Sequence, residues 1–108
     1  MNLTDQKCIP CEVGGVPLTP EEATHYYKDI PDWKLADDFK KISRGYKFKD
    51  FKESMNFVNK VAELVDREGH HPDISISYNK VTLELTTHAM KGLSVNDFIV
   101  AAKIDKIN

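Results

Sequence analysis

The sequence predicts a two-layer α+β domain, in which one four-stranded antiparallel sheet is covered on a single face by helices. Three observations carry this. Apolar and polar residues alternate with period two in two pairs of segments, 33–35 with 39–48 and 73–78 with 81–86. Capped segments with helical periodicity lie at 19–29, from 50 to 69, and from 94 onward. The composition, 41% hydrophobic and 30% charged over 108 residues, suits one soluble domain with one modest core. The expected order is α-β-β-α-β-β-α. Two hairpins form the sheet, and the helices cover its apolar face.

Each element has a local reason. Thr19-Pro20-Glu21-Glu22 is a helix start, with a Thr cap, proline at the first position and Glu22 placed to close a capping box. That helix is expected to reach about Asp29 and to stop before Pro31. Trp33-Lys34-Leu35 is a short strand and Asp37-Asp38 a turn. In the following strand Ile42, Tyr46 and Phe48 share one face, with Lys41, Ser43 and Lys47 on the other. Arg44 falls on the apolar side and has no explanation in the sequence. Asp50 and Glu53 open the strongest helix, whose expected core stripe is Phe51, Met55, Val58, Ala62 and Val65. Gly69 is placed to end it. Ile74, Ile76 and Tyr78 then alternate with Asp73, Ser75 and Ser77, Asn79-Lys80 is a turn, and Val81, Leu83 and Leu85 alternate with Thr82, Glu84 and Thr86. Ser94 caps the last helix, with the stripe Val95, Phe98, Ile99 and Ala102 and with Asp97 as a helix-stabilising acid at its third position.

Charge and motifs exclude several classes. The net charge is −2, with 15 Lys and Arg set among 17 Asp and Glu, so no long-range field draws nucleic acid. No apolar run approaches the ~20 residues that span a bilayer. The opening MNLTDQKCIPCEVGG has no apolar core of a signal peptide, and a cytoplasmic location is expected. Residues 1–17 read as a flexible arm preceding a domain at 18–108. The arm carries Cys8 and Cys11, which read as two reduced thiols because a second cysteine pair is missing. A disulfide, or a metal completed by His25 or a second subunit, is the alternative. Neither a G-x-S-x-G elbow nor a phosphate-binding glycine loop occurs.

The chemistry-bearing feature is His70-His71-Pro72 followed by His88. Imidazole exchanges protons near neutrality, so two facing one ligand can protonate a leaving group and accept a proton in one turnover. The second hairpin supplies the geometry. His70 and His71 precede its first strand and His88 follows its second, and antiparallel pairing returns the chain to the same end of the sheet. Asp66, four residues before His70 at a helix C-terminus, opposes the helix dipole and therefore suggests a local partner. Adjacent histidines in extended backbone point to opposite faces, which argues against a shared metal ion. A long edge strand also invites a second subunit.

The spacing of Asp66, His70-His71-Pro72, Tyr78, His88 and Asp97 resembles the signature of the pterin-4a-carbinolamine dehydratases, with similarity from about Pro17 to the C-terminus. The resemblance implies an antiparallel four-stranded sheet with helices on one face, and homodimers or homotetramers. It also implies dehydration of a 4a-hydroxytetrahydropterin, released by an aromatic amino acid hydroxylase, to quinonoid dihydropterin without a metal or redox cofactor. By similarity His70 and His88 are the acid/base pair, His71 orients the pterin and Asp66 pairs with His70. Pro72, Thr86, Thr87 and Ala89 join the histidines in substrate binding. Members of the family also serve as dimerisation cofactors, and some relatives are linked to a molybdopterin-related ligand. Those are the alternative functions.

Overall fold

The computed structural model describes residues 3–6 and 16–107. Cys8 and Cys11 lie outside the described residues. The observed order matches the expected one. Helix α1 spans Pro20–Tyr27, β1 Lys34–Leu35, β2 Ile42–Lys47, α2 Phe51–Glu68, β3 Asp73–Ser77, β4 Lys80–Leu85 and α3 Val95–Ile107. Short 3-10 turns occupy Leu3–Asp5 and His88–Met90. None of these helices is long and apolar enough to cross a membrane.

The caps form as the sequence dictates. Thr19 Oγ1 accepts from the Glu22 N–H and Glu22 Oε1 from the Thr19 N–H, a complete capping box. Asp50 Oδ1 accepts from the Glu53 N–H at 3.0 Å, while Glu53 reaches one residue further back, to the Lys49 N–H. Gly69 ends α2 in the left-handed region at φ 71°, where a Cβ would be strained.

The four strands form one antiparallel sheet in the order β1-β2-β4-β3. The registers Ile42↔Leu85, Arg44↔Leu83 and Tyr46↔Val81, with Ile74↔Leu83 and Ile76↔Val81, align one face of the sheet toward the helices. Ile42, Val81, Leu83 and Leu85 are fully buried on that face. The opposite face carries Lys47, Ser75, Ser77, Lys80 and Thr82, all exposed. This alternation of buried and exposed residues is what a sheet covered on one side requires.

Three expectations are corrected. The hairpin between β3 and β4 turns at Tyr78-Asn79, one residue earlier than expected, with Tyr78 at φ 52°. The Asn79 side chain anchors this turn by donating to Phe48 O at 3.0 Å. Helix α2 is rotated from its expected stripe. It buries Ser54, Phe57, Val58, Val61, Leu64 and Val65, whereas Phe51 is 49% exposed and Met55 and Ala62 are half-buried. Apolar residues cover a wide arc of this helix, and packing of Phe57, Val61 and Leu64 settles which part faces inward. Helix α3 is buried on nearly every side, from Asn96 to Ala102 and at Ile104, rather than along one stripe. It packs against α1, α2 and the first 3-10 turn. Leu3, in the first 3-10 turn, is 3% exposed and belongs to the hydrophobic core.

Arg44 now has a reason to face the helices. Its Nη1 lies 2.7 Å from Asp105 Oδ1 on α3, and the same oxygen accepts from Trp33 Nε1 at 2.8 Å. The guanidinium also sits 4.7 Å from the centre of the Tyr46 ring, a cation–π contact. Arg44 thus links the sheet to the far end of α3.

Candidate active site

The site is assembled at one end of the sheet by three chain reversals. Helix α2 ends at Gly69, whose left-handed backbone turns the chain toward β3. His70, His71 and the buried Pro72 occupy that turn, and proline biases His71 toward extended backbone. Strand β4 pairs antiparallel with β3, with Asp73 opposite Glu84, so the chain leaves β4 at the end where it entered β3. Thr86 and Thr87 follow, then the 3-10 turn beginning at His88. That turn is closed by a bridge between Thr87 and Gly92. Gly92 must lack a side chain, because a Cβ there would lie 2.8 Å from the Pro17 Cβ. Helix α3 starts directly afterwards and brings Asp97 into the same region.

His70 is held from behind by a buried hydrogen-bonded network. Its Nε2 lies 2.5 Å from Asp97 Oδ1, with the Asp97 side chain 0% and the His70 side chain 13% exposed. The other carboxylate oxygen, Oδ2, accepts from Thr87 Oγ1 at 2.8 Å and from the Ser94 N–H at 2.9 Å. The hydroxyls of Thr87 and Ser94 are 2.7 Å apart. A threonine hydroxyl has one proton, and Thr87 gives it to the carboxylate, so in this pair Ser94 donates to Thr87. A carboxylate only accepts, so Nε2 of His70 carries a proton and Nδ1 is the nitrogen left for other partners.

The expected partnership of Asp66 with His70 is corrected. Asp66 Oδ1 meets His71 Nε2 at 2.9 Å, in an exposed pair whose side chains are 77% and 59% accessible. The reason is the alternation of neighbouring side chains in extended backbone. With His70 turned inward to α3, His71 turns outward, and the outer face of the α2 terminus offers Asp66. Asp97, read in the sequence as a helix-stabilising acid, performs that service and a second one. Its Oδ2 satisfies the cap N–H of Ser94 while its Oδ1 holds His70. The signal available in the sequence was its place at the end of the histidine spacing.

The remaining residues divide between the surface and the interior. His88 is exposed and Ala89 half-buried at the start of the 3-10 turn. Thr86 Oγ1 donates to Lys40 O at 2.6 Å, tying this end of β4 to the loop before β2. Thr87 is buried, with its hydroxyl turned toward Asp97. His25 lies away on α1, its ring edge-on to Tyr26. Among the described residues no group of three or more His, Cys, Asp and Glu side chains is placed to hold a metal ion. A cleft of about 330 Å³ lies elsewhere, between the first 3-10 turn and α3, lined by Leu3, Thr4, Asp29, Ala102, Asp105 and Lys106.

A protonatable ring backed by a buried acid, with a second imidazole on the next chain reversal, is equipped for proton exchange with a small ligand. Comparison with known proteins points the same way. Residues 16–107 match the family model described as pterin 4 alpha carbinolamine dehydratase. A Nitrosomonas eutropha protein provisionally named pterin-4-alpha-carbinolamine dehydratase is 49% identical over 107 residues, covering 98% of this chain and 93% of its own. A protein of the same provisional name from Alkaliphilus metalliredigens is 43% identical over 106 residues, covering 97% of this chain and 95% of its own. Among solved structures, a Brucella melitensis protein described as a transcriptional coactivator/pterin dehydratase superposes with a TM-score of 0.78 at 31% identity, over 84% of this chain and 97% of that one. With its sequence, topology and histidine-bearing sheet end all in agreement, the chain belongs to the pterin 4 alpha carbinolamine dehydratase family.

Proposed function

We propose that the protein removes water from a 4a-hydroxytetrahydropterin to give quinonoid dihydropterin, using His70 and His88 as its acid/base pair. The observation that carries this reading is the buried Asp97–His70 pair at the sheet end where His88 also emerges. The reaction breaks the C4a–O bond and the N5–H bond and forms a C4a=N5 double bond. One imidazole protonates the departing hydroxyl, which leaves as water, and the other takes the N5 proton. Asp97 keeps the His70 ring oriented and its Nε2 protonated, so that Nδ1 performs the exchange. His71, exposed beside Asp66, orients the pterin, and Pro72, Thr86 and Ala89 shape the surrounding wall. In the cell this activity recycles the pterin of an aromatic amino acid hydroxylase, in the cytoplasm and as a homodimer or homotetramer.

The test is dehydration of a 4a-hydroxytetrahydropterin generated in situ by a hydroxylase and followed by ultraviolet absorbance. Wild-type protein accelerates it and the His70→Ala/His88→Ala double variant does not. No acceleration by a folded wild type rejects the proposal. An interaction module is the second reading. It draws on the coactivator role in the description of the Brucella relative and on Phe51, half-exposed at the start of α2. An inactive wild type would shift the weight to it.

A further inference from the structure

The strand end that leads into His88 carries a threonine whose donors and backbone acceptor are all engaged inside the protein. Thr87 is 3% exposed. Its N–H donates to Gly92 O at 2.8 Å, and its carbonyl accepts from the N–H groups of Met90 at 3.0 Å and Gly92 at 3.4 Å. Its hydroxyl accepts from Ser94 and donates to Asp97 Oδ2. Both carbonyl lone pairs, the amide proton and the hydroxyl proton are therefore used inside the protein. A hydrogen bond donated by Thr87 to a pterin, or offered by its carbonyl, would require giving up one of these bonds in a buried place, where an unmade hydrogen bond is costly.

We infer that Thr87 is a positioning residue, whose hydroxyl orients the Asp97 carboxylate and through it the ring of His70. The inference rests on the dehydratase reading for its kinetic consequence, but not for its geometry. Two donors converge on Asp97 Oδ2, one from the Thr87 hydroxyl and one from the Ser94 backbone. Together they set the rotation of the carboxylate and leave Oδ1 for His70. Without the Thr87 hydroxyl, Oδ2 is held by the backbone donor alone and the carboxylate is less firmly fixed toward His70. Thr87 also immediately precedes His88. One hydrogen bond therefore ties the segment carrying His88 to the acid behind His70, and a single side chain registers both imidazoles against each other. Misplacement of a reacting group by as little as ~1 Å costs up to about 100-fold in rate.

The experiment compares Thr87→Val, which keeps the shape and removes the hydroxyl, with Thr87→Ser, which keeps the hydroxyl. Two readouts are taken from the full chain. The first is the Nε2 proton resonance of His70 in the free protein, identified by its loss in His70→Gln. We expect this signal to persist in wild type and Thr87→Ser and to broaden or vanish by exchange in Thr87→Val. The second is turnover of a 4a-hydroxytetrahydropterin. Thr87→Val is expected to lower kcat by about tenfold or more with KM nearly unchanged, and Thr87→Ser to restore it. A raised KM at unchanged kcat would assign Thr87 to direct substrate contact and overturn the inference, as would a His70 resonance indifferent to valine. If Thr87→Val does not fold, Thr87→Ala against Thr87→Ser decides on the same two readouts. If wild type has no turnover, the dehydratase reading fails while the resonance still decides the positioning role.

Discussion

Two adjacent histidines, each bonded to an aspartate, differ in nearly everything except sequence. His70 and Asp97 meet at 2.5 Å, almost sealed from solvent, with Asp97 accepting from two further donors. His71 and Asp66 meet at 2.9 Å on the surface. The first pair joins residues 27 positions apart, the second only 5. An exposed ion pair contributes about 0–1 kcal/mol because water screens it and two side chains must be ordered. A buried carboxylate with both oxygens hydrogen-bonded cannot be altered without leaving other groups unsatisfied. The comparison therefore predicts that the inner pair is rigid and essential, and that the outer pair is adjustable.

The largest expected effect separates the two imidazoles by kinetics. His70→Ala should lower kcat by about 10²–10⁴-fold, the usual contribution of a general acid or base. On the proposed mechanism, in which His71 orients the ligand, His71→Ala should mainly raise KM. Steady-state parameters for both variants check this, and equal losses of kcat would break the contrast.

The next effect is on stability. Asp97→Asn keeps the shape of the side chain but replaces one acceptor oxygen by a donor. His70, Thr87 and Ser94 all direct donors at this group, so one of them must then face an N–H. A loss of about 3–5 kcal/mol is expected, as for other buried pairs deprived of one partner. Urea unfolding measures it. A change below ~1 kcal/mol would show that the network can rearrange.

These contrasts were only partly legible in the sequence. Thr19, Asp50 and Gly69 announced their helix ends because caps are local and depend on a few neighbouring residues. The return of His88 to the end of the sheet holding His70 followed from hairpin geometry. Which acid meets which histidine did not follow. Asp66 is near in sequence to both rings, but Asp97 is brought to His70 only by the docking of α3. The phase of α2 was misplaced, because Phe51 and Met55 continue the same helical periodicity as Val58 and Val65. Arg44 was opaque for the same reason as Asp97, since its partner Asp105 lies 61 residues away.

Tyr46 is a buried polar group of the opposite kind. Its hydroxyl has no hydrogen-bond partner among the described residues. Burial pushes its phenol up from 10.0 to about 12, against the lowering pull of Arg44. The folded state therefore holds this proton to higher pH than the unfolded state does. The associated stability is fully present below pH 10 and is lost as pH rises from there through about 12. Tyr46→Phe should remove this alkaline dependence, worth on the order of 2 kcal/mol. It should cost little stability at neutral pH, because no hydrogen bond is broken. Unfolding of both proteins across that pH range tests the difference.

The smallest effect belongs to the outer pair and is the most discriminating. Asp66→Ala removes a carboxylate that is mostly exposed and that meets His71 alone among the described residues. Stability should change by less than ~1 kcal/mol, and the double-mutant cycle with His71→Ala should give a coupling of the same small size. Added salt should reduce that coupling further, because the pair lies in solvent where charges are screened within ~10 Å at 0.1 M. Turnover should fall only through KM, if at all, since His71 stays free to reach the ligand from the surface. A large loss of kcat in Asp66→Ala would mean that the outer acid reorganises when the pterin binds and takes part in holding the reacting ring. The division of labour between the two pairs would then belong to the free protein alone.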